Sequence, residues 1–234
     1  MIIVGHRGVA GHYPENTRVS IMAAINLGLE WVEVDIQPTK DHQLVVCHDH
    51  SINRCSNGHG RVDQHTLKEL KRLDFGDWFD KKFTGERIMT LGELLNLSRL
   101  HRLKLNLEIK VDKHDAKFVC QLLTDVLHQE NVTTDNIILS SFDPDVMRQL
   151  HQVLPQYRRA VLCGRVSHKV YALLAEVAAF SCNIDHRWTS KQQIAKLQSL
   201  GYQVWSYTVN NPHRVKYLSN LDALFSDYPQ RFVK

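Results

Sequence analysis

Short apolar runs recur along the chain between longer stretches of helical pattern. Ile2–Val4, Trp31–Ile36, Leu105–Ile109, Ile137–Ser141, Ala160–Cys163, Phe180–Ile184, Gln203–Tyr207 and Ala223–Ser226 have the length and the branched or aromatic content of strands. The intervening segments carry helix signals. Asn16–Leu27 reads as a helix with Asn16 or Thr17 as N-cap and Gly28 just past its end. Asp143-Pro144 and Asn211-Pro212 each place a capping residue before a proline at the first helical position, and Ser190 with Gln193 fits a capping box. Eight strands separated in this way imply parallel pairing with crossover helices. The pattern predicts an α/β fold, a TIM-type (β/α)8 barrel, with a doubly wound open sheet as the alternative.

One apolar run breaks the rhythm. Leu44–His48 follows Ile36 too closely for a crossover, so it must return as a hairpin around Lys40–Gln43 and bring His48 back toward Asp35. A long detour then precedes Leu105. It carries two capping boxes, Thr66 with Glu69 and Thr90 with Glu93, and an aromatic, charged stretch at Phe75–Phe79. Residues 51–82 read as a small subdomain inserted over one rim of a single barrel domain that spans 1–234.

Composition narrows the picture. A chain of 234 residues with 43% hydrophobic and 23% charged positions is long enough for one large domain with a full core. A net charge of +4 tolerates anionic substrates and falls short of a nucleic-acid-binding stripe. No run of about 20 apolar residues is present to span a membrane, and Met1–Val4 is too short for a targeting segment. The five cysteines are scattered and form no C-x-x-C pair, which points to reduced thiols and a cytoplasmic location.

Alternation locates the chemistry. In Trp31–Ile36 the side chains of Val32, Val34 and Ile36 share one face; Trp31, Glu33 and Asp35 share the other. In Leu105–Lys110, Asn106, Glu108 and Lys110 lie opposite the apolar face. In a barrel the apolar face meets the helices, so Glu33, Asp35, Glu108 and Lys110 point inward near the strand C-termini, where barrel active sites lie. Three inward carboxylates need compensation. A salt-bridge network could supply it, or a hard divalent cation, since all-oxygen ligands suit Mg²⁺ or Ca²⁺. His6 ends the first strand at the same mouth and His48 returns there. Two histidines can serve as general base and general acid. Arg7 offers a fork of donors for phosphate, and Gly8 and Gly11 let the loop bend. Together these groups suit cleavage of a phosphate diester.

His6-Arg7-Gly8, Pro14-Glu15-Asn16-Thr17, Glu33-Val34-Asp35, His48-Asp49 and Glu108-Ile109-Lys110 resemble, in order and spacing, the motifs of the glycerophosphodiester phosphodiesterase family. Trp205–Asn210, Ser226–Pro229 and the stretch L-K-R-L-D-F-G-D-W-F extend the resemblance over the whole chain, and it is most like the cytosolic bacterial members. Arg54 matches a basic residue common in the family, but Cys55-Ser56 after it in place of two threonines, Met89 in place of a proline before Thr90, and Ser226 in place of a threonine depart from the usual family residues. The resemblance implies hydrolysis of small-molecule glycerophosphodiesters to sn-glycerol 3-phosphate and an alcohol. It implies one divalent cation, Mg²⁺ or Ca²⁺, on Glu33, Asp35 and Glu108. His6 and His48 would be the acid-base pair, with Arg7 and Lys110 on the phosphate. Phe142 and Trp205 would line the glycerol or leaving-group side, or serve only as core. A lysophospholipase D-type phosphodiesterase and a non-catalytic binding protein on the same fold are the alternatives. A homodimer stays open.

Overall fold

The computed structural model describes residues 1–218 and 220–233. Eight parallel strands close on themselves: β1 (Ile2–His6), β2 (Trp31–Pro38), β4 (Lys104–Ile109), β5 (Ile137–Ser141), β6 (Arg158–Cys163), β7 (Ser181–Asp185), β8 (Gln203–Tyr207) and β9 (Ala223–Ser226). β9 pairs with β1, and β1 with β2, which seals the barrel and excludes the open sheet. β3 (Leu44–Val46) is the ninth strand and pairs antiparallel on β2 beyond the closed ring. The turn that returns it carries His42 at φ 62°.

Crossover helices cover the outside: α1 (Arg18–Asn26), α3 (Leu91–His101), α4 (Ala116–Gln129), α5 (Pro144–Val153), α6 (His168–Glu176) and α7 (Lys191–Ser199). Thr17, not Asn16, caps α1, its side chain accepting from the Ser20 amide. The capping boxes at Thr66, Thr90 and Ser190 all form. Asn211-Pro212 opens only a six-residue 3-10 helix, Pro212–Tyr217, with no buried residue to extend it. Residues between β3 and α3 make 3-10 turns and the one-turn helix α2 (Leu67–Leu70). They close over a satellite cluster of Ile52, Val62, Leu70 and Phe75 against Val45, Cys47 and Ile88.

Two apolar bodies hold the barrel. The larger joins the outward faces of the strands, such as Val32, Val34, Ile36, Leu105, Leu107 and Ile109, to the helices. The smaller fills the lower half of the interior with Val4, Trp31, Ile138, Ala160, Trp205, Ala223 and Phe225. Trp31 and Trp205 meet edge to face with ring centroids 5.5 Å apart. This plug fills the N-terminal half of the interior with apolar side chains.

Candidate active site

The same inward alternation that builds the plug carries polar side chains two residues higher. Val4 gives way to His6, Trp31 to Glu33 and Asp35, and Phe225 to Asp227 along their strands. Strand register sets them level: His6 pairs with Glu33, and Asp35 with Glu108. The result is an open cleft at the C-terminal mouth, lined by His6, Arg7, Glu33, His48, Glu108 and Lys110 among others.

Glu33, Asp35 and Glu108 each present an oxygen within 4.8 Å of the others. All three are buried. Burial, then the charges of Asp35 and Glu108, push the Glu33 carboxyl well above its usual range. Burial and Asp35 also raise Glu108, against the pull of Lys110. Burial works against the Asp35 charge, but Arg7, Lys110, His48 and the Asn16 amide outweigh it and bring its pKa down to about 2. Asn16 Nδ2 donates to Asp35 Oδ2 at 2.9 Å, from a left-handed backbone at φ 59°. Lys110 Nζ lies 2.7 Å from Glu108 Oε1 and 3.3 Å from Asp35 Oδ1.

The cluster has spare acceptor capacity. Glu33 Oε1 and Asp35 Oδ1 are buried and accept no hydrogen bond, since Lys110 reaches Asp35 Oδ1 only as an ion pair. Buried acceptors in native proteins are normally satisfied. Converging, unsatisfied carboxylate oxygens are a donor set that fits a hard divalent cation.

Both histidines are held from behind by a carboxylate. His6 Nδ1 lies 2.6 Å from Asp227 Oδ1, and His48 Nδ1 lies 2.6 Å from Asp49 Oδ1. A carboxylate only accepts, so Nδ1 carries the proton in each pair and Nε2 is left to exchange one. His6 Nε2 lies 3.7 Å from Glu33 Oε2. Burial lowers the His48 pKa and the charges of Arg7 and Lys110 add to this, with Asp35 and Asp49 opposing. Arg7 adopts φ 52° and donates Nη1 to Glu15 Oε1 at 2.7 Å. Gly8, at φ 89°, must be glycine: a Cβ there would lie 2.3 Å from Ser20 Oγ, so the loop could not lie against α1.

Phe142 stands at the rim, 50% exposed, edge to face with Tyr207 at 5.8 Å. Trp205 does not join it. Its side chain belongs to the plug and its Nε1 bonds back to Gln203 Oε1 at 2.9 Å. Register places Trp205 opposite Ala223, one layer below the mouth, and Tyr207 takes the lining position assigned to it. Asp227, Asp49 and Asn210, which binds Asp227 Oδ2 at 2.7 Å, also escaped the sequence reading as individual site residues. Continuing the inward alternation past the end of β9 would have found Asp227.

A sequence profile of the Glycerophosphoryl diester phosphodiesterase family matches residues 6–231. The chain belongs to this family. Among its relatives is a glycerophosphodiester phosphodiesterase of Bacillus altitudinis, 30% identical over 99% of this chain and 96% of the relative. One from Caldanaerobacter subterraneus subsp. tengcongensis shows the same identity, with 99% and 96% covered. The fold matches a phosphodiesterase of Oleispira antarctica, solved in complex with the product sn-glycerol-3-phosphate, at a TM-score of 0.94 and 29% identity over 99% of this chain and 94% of that one.

Proposed function

We propose that the protein hydrolyses glycerophosphodiesters to sn-glycerol 3-phosphate and an alcohol. The observation that carries this is one cleft in which a cation-ready carboxylate cluster stands beside Arg7, Lys110 and two carboxylate-held histidines. The Oleispira relative bound to sn-glycerol-3-phosphate supports the same substrate class.

Arg7 and Lys110 bind and orient the phosphate. One histidine takes the proton from the glycerol hydroxyl beside the phosphoester. That oxygen attacks phosphorus, and the other histidine protonates the departing alcohol. Water then opens the cyclic phosphate with the two roles reversed. The matched Nδ1 supports on Asp227 and Asp49 suit an exchange of roles, since each ring is oriented in the same manner. Glu33, Asp35 and Glu108 would hold one Mg²⁺ or Ca²⁺, which would offset charge on the phosphoryl oxygens. Residues 51–82 act as a small subdomain over the mouth, and Phe142 flanks the leaving group. The unpaired, buried cysteines suit a cytoplasmic setting.

Exposed Phe142 and Trp188 at the C-terminal rim favour a second reading, a lysophospholipase D-type reaction with the acyl chain along that lip. One assay separates them. Purified protein is given glycerophosphocholine, glycerophosphoethanolamine and a lysophospholipid, with Mg²⁺, Ca²⁺ or a chelator, beside His6→Ala. Cation-dependent release of glycerol 3-phosphate, lost in the variant, supports the first reading. Release of choline from the lysophospholipid alone supports the second. No turnover on any diester sinks both.

A further inference from the structure

Arg54 lies outside the barrel, in the stretch between β3 and α3, with its side chain 44% exposed. Its guanidinium nevertheless makes four charged hydrogen bonds. Nε and Nη2 donate to Asp49 Oδ2 and Oδ1 at 2.7 and 3.0 Å; Nη1 and Nη2 donate to Glu15 Oε2 and Oε1 at 2.7 and 2.8 Å. Each carboxylate has a second partner inside the cleft. Glu15 Oε1 accepts from Arg7 Nη1 at 2.7 Å, and Asp49 Oδ1 holds His48 Nδ1 at 2.6 Å. Arg54 Cζ also lies 5.9 Å from the ring centre of Trp78, in the same stretch.

An exposed ion pair adds little to stability, because water screens it and side-chain entropy opposes it. Two bidentate grips do something else. A planar fork fixes the direction of each carboxylate, which a point charge cannot do. Without the fork, Glu15 and Asp49 would be neighbouring anions with no common cation, and Asp49, partly exposed, would be free to swing from His48. The arrangement is therefore built for geometry.

We infer that Arg54 is a positioning residue for the phosphodiester reaction: by clamping Glu15 and Asp49 together it sets Arg7 and His48 in one mutual geometry. The inference rests on the phosphodiesterase reading above. It also gives the stretch between β3 and α3 a task, that of carrying Arg54 to the mouth.

The test measures kcat, KM and melting temperature for wild type, Arg54→Gln, Arg54→Lys, Glu15→Gln, Asp49→Asn and the combined variants, with glycerophosphocholine. Small displacements of reacting groups, or loss of an outer support, cost about ten- to a hundredfold. Arg54→Gln is expected to melt near wild type, lose kcat by about that factor and raise KM. Asp49→Asn should act mainly on kcat and Glu15→Gln mainly on KM. Arg54→Gln added to the Glu15→Gln, Asp49→Asn double variant should cost less than about threefold more, because the clamp has nothing left to hold. Arg54→Lys should recover part of the loss, since an ammonium can hold one carboxylate well but not both. A folded Arg54→Gln protein with wild-type kcat and KM overturns the inference. So does an equal loss in the wild-type and double-variant backgrounds. If Arg54→Gln fails to fold, Arg54→Lys decides: folded and kinetically unchanged, it overturns the clamp. A silent wild type overturns the reading and the inference together, whereas an active one with indifferent Arg54 variants overturns the inference alone.

Discussion

On β2, Trp31 and Asp35 face the same side of the sheet four residues apart. Trp31 packs edge to face against Trp205 in the plug; Asp35 sits among Arg7, Lys110 and Asn16 at the mouth. The same contrast repeats around the ring, Val4 below His6 and Phe225 below Asp227. The lower layer is dry and gains from dispersion and loss of apolar surface. The upper layer holds buried carboxylates, which costs folding free energy. Stability and chemistry are thus divided by height along the same strands, which is why the two layers should answer differently to substitution.

Glu33→Gln should separate them most. Its carboxyl is pushed well up by burial and by Asp35 and Glu108, so neutralising it relieves a strained site. We expect activity to fall by about a thousandfold or more, equivalent to roughly 4 kcal/mol of transition-state stabilisation. The cation-free protein should at the same time become more stable, since one of three crowded, buried carboxyls no longer carries a charge. Calorimetry in chelator beside the hydrolysis assay checks both; an active variant would remove Glu33 from the site.

Trp205→Ala tests the opposite layer. Loss of a buried tryptophan should cost about 3–5 kcal/mol in urea unfolding, with kcat of the folded fraction held within a few-fold. A specific loss of kcat at full stability would return Trp205 to the substrate pocket.

Cation binding should mend the upper layer without touching the lower. At a hundred times its dissociation constant, Mg²⁺ or Ca²⁺ should stabilise the protein by about 2.7 kcal/mol. Glu33→Gln should blunt that shift. A melting temperature that ignores both ions would count against the carboxylate cluster as their site.

The smallest expected effect lies at the rim. Hydrogen bonding to Arg54 holds the Asp49 carboxyl well below its ordinary value of 3.8, with burial opposing and His48 assisting. A depressed acid stabilises the fold above its unfolded pKa, and that contribution is lost as pH falls through the folded one. Asp49→Asn should therefore be less stable by under about 1 kcal/mol at pH 6–7, and the gap should begin to narrow below about pH 4 and vanish only in stronger acid, as pH falls through the folded pKa. A gap that widens on acidification would contradict the pairing.

Period-two alternation and turn chemistry were enough to place the strands, the β3 hairpin and the capping boxes, because these depend on neighbours in sequence. The inward face of Glu33, Asp35 and Glu108 was legible for the same reason. Height was not. Trp205 has the right parity, but the layer it occupies is set by the stagger of β8 against β7 and β9, which arises from pairing across the barrel. Asp227 holds His6 from 221 residues away, and Arg54 reaches Glu15 across 39. No local pattern encodes those distances.

By itself, then, the order of apolar and polar residues determined that this chain makes parallel strands with crossover helices, which face of each strand turns inward, and which residue types reach the mouth. Closure of the ring decided the rest: that β9 meets β1, that Tyr207 rather than Trp205 lines the cleft, and that Asp227, Asp49 and Glu15 stand behind His6, His48 and Arg7. The physical reason is range. Side-chain direction follows from backbone geometry over a few residues, whereas level, partner and burial follow from strand register and stagger, which exist only once the barrel is shut.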